Sequence, residues 1–153
     1  MLERQYAVAA DHGSEFIADV GFDPAFSLAI EHDPAEAIAG PSGTRQFRKI
    51  TGGRLTGRLA GSIYPNGGGE YSLLRPDGVS EINSHVILRA DDGQWLYLYH
   101  MGYARPDGYY RVTSWVDADV RGELDWVAGL FFIGTGTMAA DGRSTTINYF
   151  EVT

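Results

Sequence analysis

Glu70, His85 and His100 are residue types that can hold or pass a proton, and each sits in an alternating, strand-like run. If Asp92-Gly93 is a two-residue hairpin loop, Leu88 faces Tyr97 and His85 faces His100. The same geometry at Asp77-Gly78 sets Glu70 opposite His85. Three neighbouring strands would then present a carboxylate and two imidazoles in one line, ~5 Å apart at Cβ. An even-membered connection over 103–108 would bring Arg111 beside His100 as a permanent cation. Ser72 and Asn83 fall on the same face, and the apolar Ile87, Leu96 and Leu98 extend it. A polar group at one end of an apolar surface is the usual makeup of a small-molecule site.

Such a row suits proton transfer without a cofactor. Glu70 or His85 would be the base, and His100 with Arg111 would stabilise negative charge developing on a substrate oxygen. The same three ligand types occur in iron sites built from two histidines and a carboxylate. The close-set histidines common in cupin motifs are absent here, so the expectation is metal-free chemistry. His12 and His32 stand in acid-rich, loop-like surroundings and read as solvated. The run "PNGGGEY" at 65–71 lacks the helix and GK[ST] ending of a phosphate-binding loop. "GTGTMAADG" at 134–142 likewise lacks the strand-turn-helix context of a dinucleotide site, so no nucleotide cofactor is expected.

The elements that must position these residues read as β-structure throughout. Twenty glycines, many aromatic and β-branched residues and closely spaced turn signals indicate an all-β chain. Strands are predicted over 25–31, 44–50, 54–64, 69–75, 79–90, 94–102, 108–115, 123–135 and 144–152, with a loop over 33–43. Turns are predicted at Gly52-Gly53, Asn66 to Gly68, Asp77-Gly78, Asp92-Gly93, Arg105 to Gly108 and Asp141-Gly142. Eight or nine strands joined by hairpins suit a single-domain antiparallel β-barrel with a central small-molecule cavity, a two-sheet sandwich being the alternative. Residues 1–22 read as an N-terminal arm and 23–153 as the barrel domain. The leucine-alternating Trp95, Tyr97 and Tyr99 read as packing residues of the barrel.

Composition narrows the function classes. Twelve Lys and Arg against twenty Asp and Glu give a formal charge of -8, which disfavours nucleic acids and anionic membranes as partners. With no cysteine, disulfides, thiolate metal sites and thiol nucleophiles are excluded. The N-terminal run mixes charges into its short apolar stretch and lacks a signal-like core, and no run reaches membrane-spanning length, so the expectation is an unexported, cytoplasmic protein. A homodimer is the base-rate assembly.

The order "GGRLTGRLAGSIYPNGGGEY", "NSHVILRADDGQWLYLYHMG", "YYRV", "LDWVAGLFFIGTG" and closing "INYFEV" resembles the bacterial and fungal domain-of-unknown-function 3237 family (DUF3237). The resemblance runs from about Phe26 to Val152. It implies a compact antiparallel barrel, related in shape to the allene oxide cyclase and dirigent barrels, enclosing a hydrophobic small molecule. The family's usual Asp-Trp corresponds to Glu70 and Tyr71 here, and its Asp-x-Arg-Tyr stretch to Asn83, Ser84, His85 and Val86. Its usual Asn on the next strand corresponds to His100, while its aromatic-Arg pair is kept as Tyr110 and Arg111 and its later Trp as Trp126. These departures imply a different substrate or step for this member.

Residues and resemblance together give Glu70, His85, His100 and Arg111 as candidate catalytic groups. Ser72, Asn83, Tyr64, Leu98, Tyr110 and Trp126 are the candidate substrate contacts. The expected activity is that of a cofactor-free lyase, isomerase or cyclase on a mostly apolar carbonyl or phenolic compound, of the kind met in secondary metabolism or aromatic catabolism. The alternatives are a noncatalytic, lipocalin-like carrier and a filled barrel acting as a scaffold.

Overall fold

The computed structural model describes residues 20–153, which form one antiparallel sheet closed on itself. The predicted N-terminal arm lies almost wholly outside the described residues. The strands are β1 (Phe22–His32), β2 (Glu36–Gly40), β3 (Gly43–Gly57), β4 (Gly61–Leu74), β5 (Ser80–Ala90), β6 (Trp95–Ala104), β7 (Tyr110–Ala118), β8 (Phe132–Met138) and β9 (Ser144–Val152). A 3-10 helix over Asp125–Gly129 joins β7 to β8.

Closure depends on the length of β3. Its second half, Ile50 to Gly57, pairs with β1, while its first half, Gly43 to Phe47, carries the short β2. Since β1 also pairs with β9, eight strands close the barrel and β2 is an added flap beside them. This is the all-β barrel expected from the strand and turn pattern. Closure satisfies the sheet edges that an open form would leave unpaired.

Two predicted turns are instead bends within continuous strands. Gly52-Gly53 lies inside β3, where the pairing with β4 breaks between Ile50 and Arg54, and Gly53 adopts φ 151°. Glycine there lets the strand turn a barrel corner. The stretch from Tyr64 to Gly67 is a wide bulge in β4, between the pairs Ile63 with Leu88 and Gly68 with Val86. The predicted 33–43 loop contains β2, and predicted strand 123–135 divides into the 3-10 helix and the start of β8.

The true hairpins share one chemistry. In Pro76-Asp77-Gly78, Asp91-Asp92-Gly93, Pro106-Asp107-Gly108 and Ala140-Asp141-Gly142 the aspartate carboxylate accepts the amide hydrogen two residues on. The glycine of each has φ between 68° and 93°. The first three are three-residue loops ending in a left-handed glycine, one residue longer than the two-residue loops expected at Asp77-Gly78 and Asp92-Gly93 and odd rather than even at 106–108, while the fourth closes four residues, 140–143, between Ala139 and Ser144.

Alternation along the strands then sends Leu28, Leu55, Leu88, Leu98, Phe132 and Ile147 into a single core, each at most 1% exposed. Where β6 and β7 approach, a methyl added to Gly102 would stand 1.9 Å from the Arg111 carbonyl oxygen. We expect Gly102→Ala to lower the unfolding free energy by about 2 kcal/mol through this backbone clash. An unchanged urea midpoint would show that the strands can spread without cost.

Candidate active site

The one-residue difference in loop length decides which polar groups face inward. The Asp92-Gly93 hairpin pairs His85 with Tyr99 and Ser84 with His100. The Asp77-Gly78 hairpin pairs Glu70 with Ser84, and the Asp107-Gly108 hairpin leads to the pair His100 with Ser114. Because side chains alternate faces, each shift exchanges the inward set for the outward one. Glu70 and His100 therefore do share the interior face, and Ser84 rather than His85 stands between them. The inward row runs Arg48, Glu70, Ser84, His100, Ser114 and Phe132 across β3 to β8.

At one end of this row Glu70 is 8% exposed and firmly held. Its Oε1 accepts from Arg48 Nη1 at 2.7 Å and from the Ser72 hydroxyl at 2.6 Å. Arg48 lies directly across from it on β3, and Ser72 is its same-face neighbour on β4. Both bonds converge on one carboxylate oxygen, and among the described residues Oε2 takes none. Charge-assisted bonds of this kind fix orientation as well as charge.

Glu70 and Arg48 line a half-enclosed cavity of about 370 Å³ at one mouth of the barrel. Its apolar wall includes Leu74, Ile82, Ala104, Pro106 and Met138, and the two Pro-Asp-Gly turns form part of its rim. Tyr110, 5% exposed, also borders it. Burial first, and then the negative charge of Glu70, push the Tyr110 hydroxyl well above the usual phenol range despite opposition from Arg48. Tyr110 therefore stays protonated and presents a hydrogen-bond donor beside an ion-paired carboxylate. Gly136 makes the space for its ring, since a Cβ there would stand 2.2 Å from Tyr110 Cδ1. This cavity lies at the mouth, with the buried core side chains Leu28, Leu88, Leu98 and Phe132 among those packed inside the barrel.

Deeper in the barrel, His100 is fully buried and its Nδ1 shares a 2.8 Å hydrogen bond with the Tyr149 hydroxyl. Its Nε2, Ser84 Oγ and Ser114 Oγ are buried without a hydrogen-bond partner among the described residues. Burial, with a smaller contribution from His85, lowers the His100 pKa to about 3. Burial pushes the Tyr149 hydroxyl in the opposite direction, well above the phenol range.

Several expected site residues lie elsewhere. His85 turns outward, hydrogen-bonds Tyr97 and packs against Tyr99 at 4.5 Å between ring centres. Arg111 is exposed on the outer face of β7, opposite Tyr103 rather than His100, with its guanidinium 5.0 Å from the Tyr109 ring. Asn83 is on the outer face too, 3.4 Å from the Tyr99 hydroxyl. Tyr64 is exposed and packs edge-on to Trp95. Leu98 is core, and Trp126 is exposed on the 3-10 helix beside Arg58. Trp95, Tyr97 and Tyr99, expected as barrel packing, all point out of the barrel. His32, expected in solvent, is 5% exposed and lies 3.2 Å from the Thr145 hydroxyl. Of the residues expected at the site, Glu70, Ser72 and Tyr110 come together at the mouth, and His100 lies below them.

Sequence reasoning missed Arg48, Ser84, Ser114 and Tyr149. "TRQFRKI" misled because Phe47 faces out and Arg48 in, the reverse of the usual arrangement. A signal for the tyrosines was present in "GTGTM", whose Gly134 and Gly136 leave room for the rings of Tyr149 and Tyr110.

His100 makes the acid limb of stability specific to this site. Its folded pKa of about 3 lies below the ordinary 6.5, so the unfolded chain binds the extra proton between those values. Its contribution is therefore complete above pH 6.5 and is lost as pH falls toward about 3, at up to about 1.4 kcal/mol per pH unit. We expect His100→Asn to flatten this part of the urea-stability profile. Parallel profiles for the variant and wild type between pH 6.5 and 4 would contradict the burial of a neutral imidazole.

Comparison with known proteins places this geometry in a family. The family model described as a protein of unknown function, DUF3237, matches residues 20–152. A UPF0311 protein of Clostridium acetobutylicum is 31% identical over 102 residues, a segment that covers 64% of this chain and 64% of that protein. Among solved structures, a β-barrel-like protein from Acinetobacter baumannii AYE superposes with a TM-score of 0.80 at 18% identity, covering 91% of this chain and 99% of the other. An enzyme from Penicillium herquei superposes with a TM-score of 0.72 at 19% identity, covering 92% and 99% respectively. At these identities the structural likeness speaks to the fold alone. With the match to its model extending over nearly every described residue, the chain belongs to the DUF3237 family.

Proposed function

We propose that the protein is a cofactor-free acid–base catalyst, of the lyase, isomerase or cyclase type, acting on a mostly apolar carbonyl or phenolic compound at the barrel mouth. The observation that carries this reading is the pairing of Glu70 with Tyr110 in one small, mainly apolar cavity. Glu70 is anchored through Oε1 by Arg48 and Ser72, so its other oxygen is the one presented to a substrate proton. Tyr110, kept protonated by burial and by Glu70, is placed to donate to a substrate oxygen as negative charge develops there. Returning the proton from Glu70 to a different atom would complete an isomerisation or ring closure.

Roles for His85 and Arg111 are dropped, because both side chains lie outside the barrel. His100 is a support rather than a proton donor, since its neutral imidazole, in the middle of the buried row, contacts Tyr149 and does not line the cavity. That one structural neighbour is described as an enzyme agrees with a catalytic reading without indicating the reaction.

Proton abstraction can be tested before the net reaction is identified. Incubating the protein in D2O with a panel of enolisable aromatic ketones and phenols, followed by mass spectrometry, reads exchange at carbon directly. We expect wild-type protein to accelerate exchange for a subset of the panel. Glu70→Gln should slow it ~100-fold or more, and Tyr110→Phe about 100-fold, with far-UV circular dichroism unchanged. Ligands that raise the melting temperature but exchange equally fast with both variants would instead favour a noncatalytic binding barrel.

A further inference from the structure

The outer wall of β3 to β7 carries an aromatic ladder that neither the core nor the mouth cavity uses. Phe47, Tyr71, His85, Tyr99 and Trp115 follow one another across five strands, with successive ring centres 5.1, 6.5, 4.5 and 5.4 Å apart. Tyr71 is 54% exposed, Trp115 43%, Ile87 41% and Met101 39%. A continuous apolar surface of this extent is unusual on a protein that stands alone.

We infer that this wall is the interface between two copies of the chain. Three observations favour a second copy as the occupant. The first is charge. The chain as a whole carries -8, so most of its surface repels another copy, yet the centre of this wall holds Tyr71, Ile87, Tyr97, Tyr99, Met101 and Trp115 with no carboxylate or ammonium among them. Its rim carries both signs, with Arg45, Arg89 and Arg111 against Glu81 and Asp117 on the same outward face. A two-fold axis through a patch with a mixed rim can bring arginines of one copy to carboxylates of the other.

The second observation is area. With fully exposed large side chains offering ~200 Å² each, Phe47, Tyr71, Ile87, Tyr97, Met101 and Trp115 expose roughly 500 Å², and Tyr64, Trp95 and Val120 beside them bring the patch to roughly 850 Å² per chain, one side of a standard interface. The enrichment in Tyr, Trp and Met with a charged rim matches how interfaces are built.

The third is shape. At one end of the wall an open groove of about 710 Å³ is lined by Tyr64, Ile87, Trp95, Tyr97 and Val120. Val120, one of its lining residues, is 82% exposed. A two-fold contact can seat each copy's valine against the aromatic rings of the other copy's groove.

The test is the mass of the full chain in solution. Light scattering after size exclusion at ~10 μM should give twice the chain mass for wild type, a range in which standard interfaces hold. Tyr71→Lys combined with Trp115→Lys should give one chain mass, while Thr146→Lys on the opposite wall should leave the dimer intact. Both altered side chains are solvent-exposed, and circular dichroism verifies the fold. Should the double variant unfold, hydrogen exchange of wild type at two concentrations supplies the second measurement. Amide protection in β5 to β7 should fall on dilution. A monomeric wild type, a dimer that persists in the folded double variant, an assembly larger than two, or dilution effects confined to β1 and β9 would each overturn the inference.

Discussion

The hydrogen bond that each hairpin aspartate accepts from the amide two residues on is the interaction on which the rest of the structure depends. By stabilising a turn with a left-handed glycine, it makes the loops of the β4–β5, β5–β6 and β6–β7 hairpins three residues long, an odd number. Side chains alternate with a period of two, so this single residue decides the face of every residue on the strand that follows. The same three-residue loop recurs at three successive connections, from β4 to β7, so their registers stay consistent across that wall. The interior row and the outer ladder are two sides of that one constraint.

Inside, the constraint gathers polar groups where a barrel would ordinarily place only apolar ones. Among the described residues Ser84 Oγ, His100 Nε2 and Ser114 Oγ have no protein hydrogen-bond partner, and burying a polar atom in that state costs ~1 to 3 kcal/mol. The leucine and isoleucine layers on either side supply the apolar burial that offsets this cost. Toward the mouth the row becomes satisfied, as Arg48 and Ser72 close on Glu70. The carboxylate is therefore held by two paired strands, β3 and β4, with Tyr110 facing it from β7 across the mouth, and the rim is made of turns that are themselves locked by side-chain bonds. A carboxylate held in this way loses little on meeting a substrate, because its orientation has been set by folding.

Outside, the same register exposes rings that pattern reasoning assigns to a core. In β6 the leucines at 96 and 98 go in and Trp95, Tyr97 and Tyr99 go out, so both faces of the strand are apolar. Strands with two apolar faces belong to sheets covered on both sides. Among the described residues no layer covers the outer face of β5 to β7, which is the physical reason to seek one in a second copy.

Local chemistry determined the all-β class, the positions of the Asp-Gly hairpins and most strand limits, because glycine, aspartate and β-branched residues act over a few residues. It also marked Glu70 and Ser72, and the family resemblance marked Tyr110, which the fold brings beside them at the mouth. What local chemistry left open was parity. The choice between a two- and a three-residue loop is a small energy difference at each turn, yet it moved His85 and Arg111 out of the barrel and Ser84 into it. Arg48 could be identified only once β3 and β4 were paired, since an arginine next to a phenylalanine reads as solvent-facing until a carboxylate on another strand is known to oppose it. Closure was likewise a tertiary decision, made when the bend at Gly52-Gly53 allowed one long strand to serve β2, β4 and β1 together.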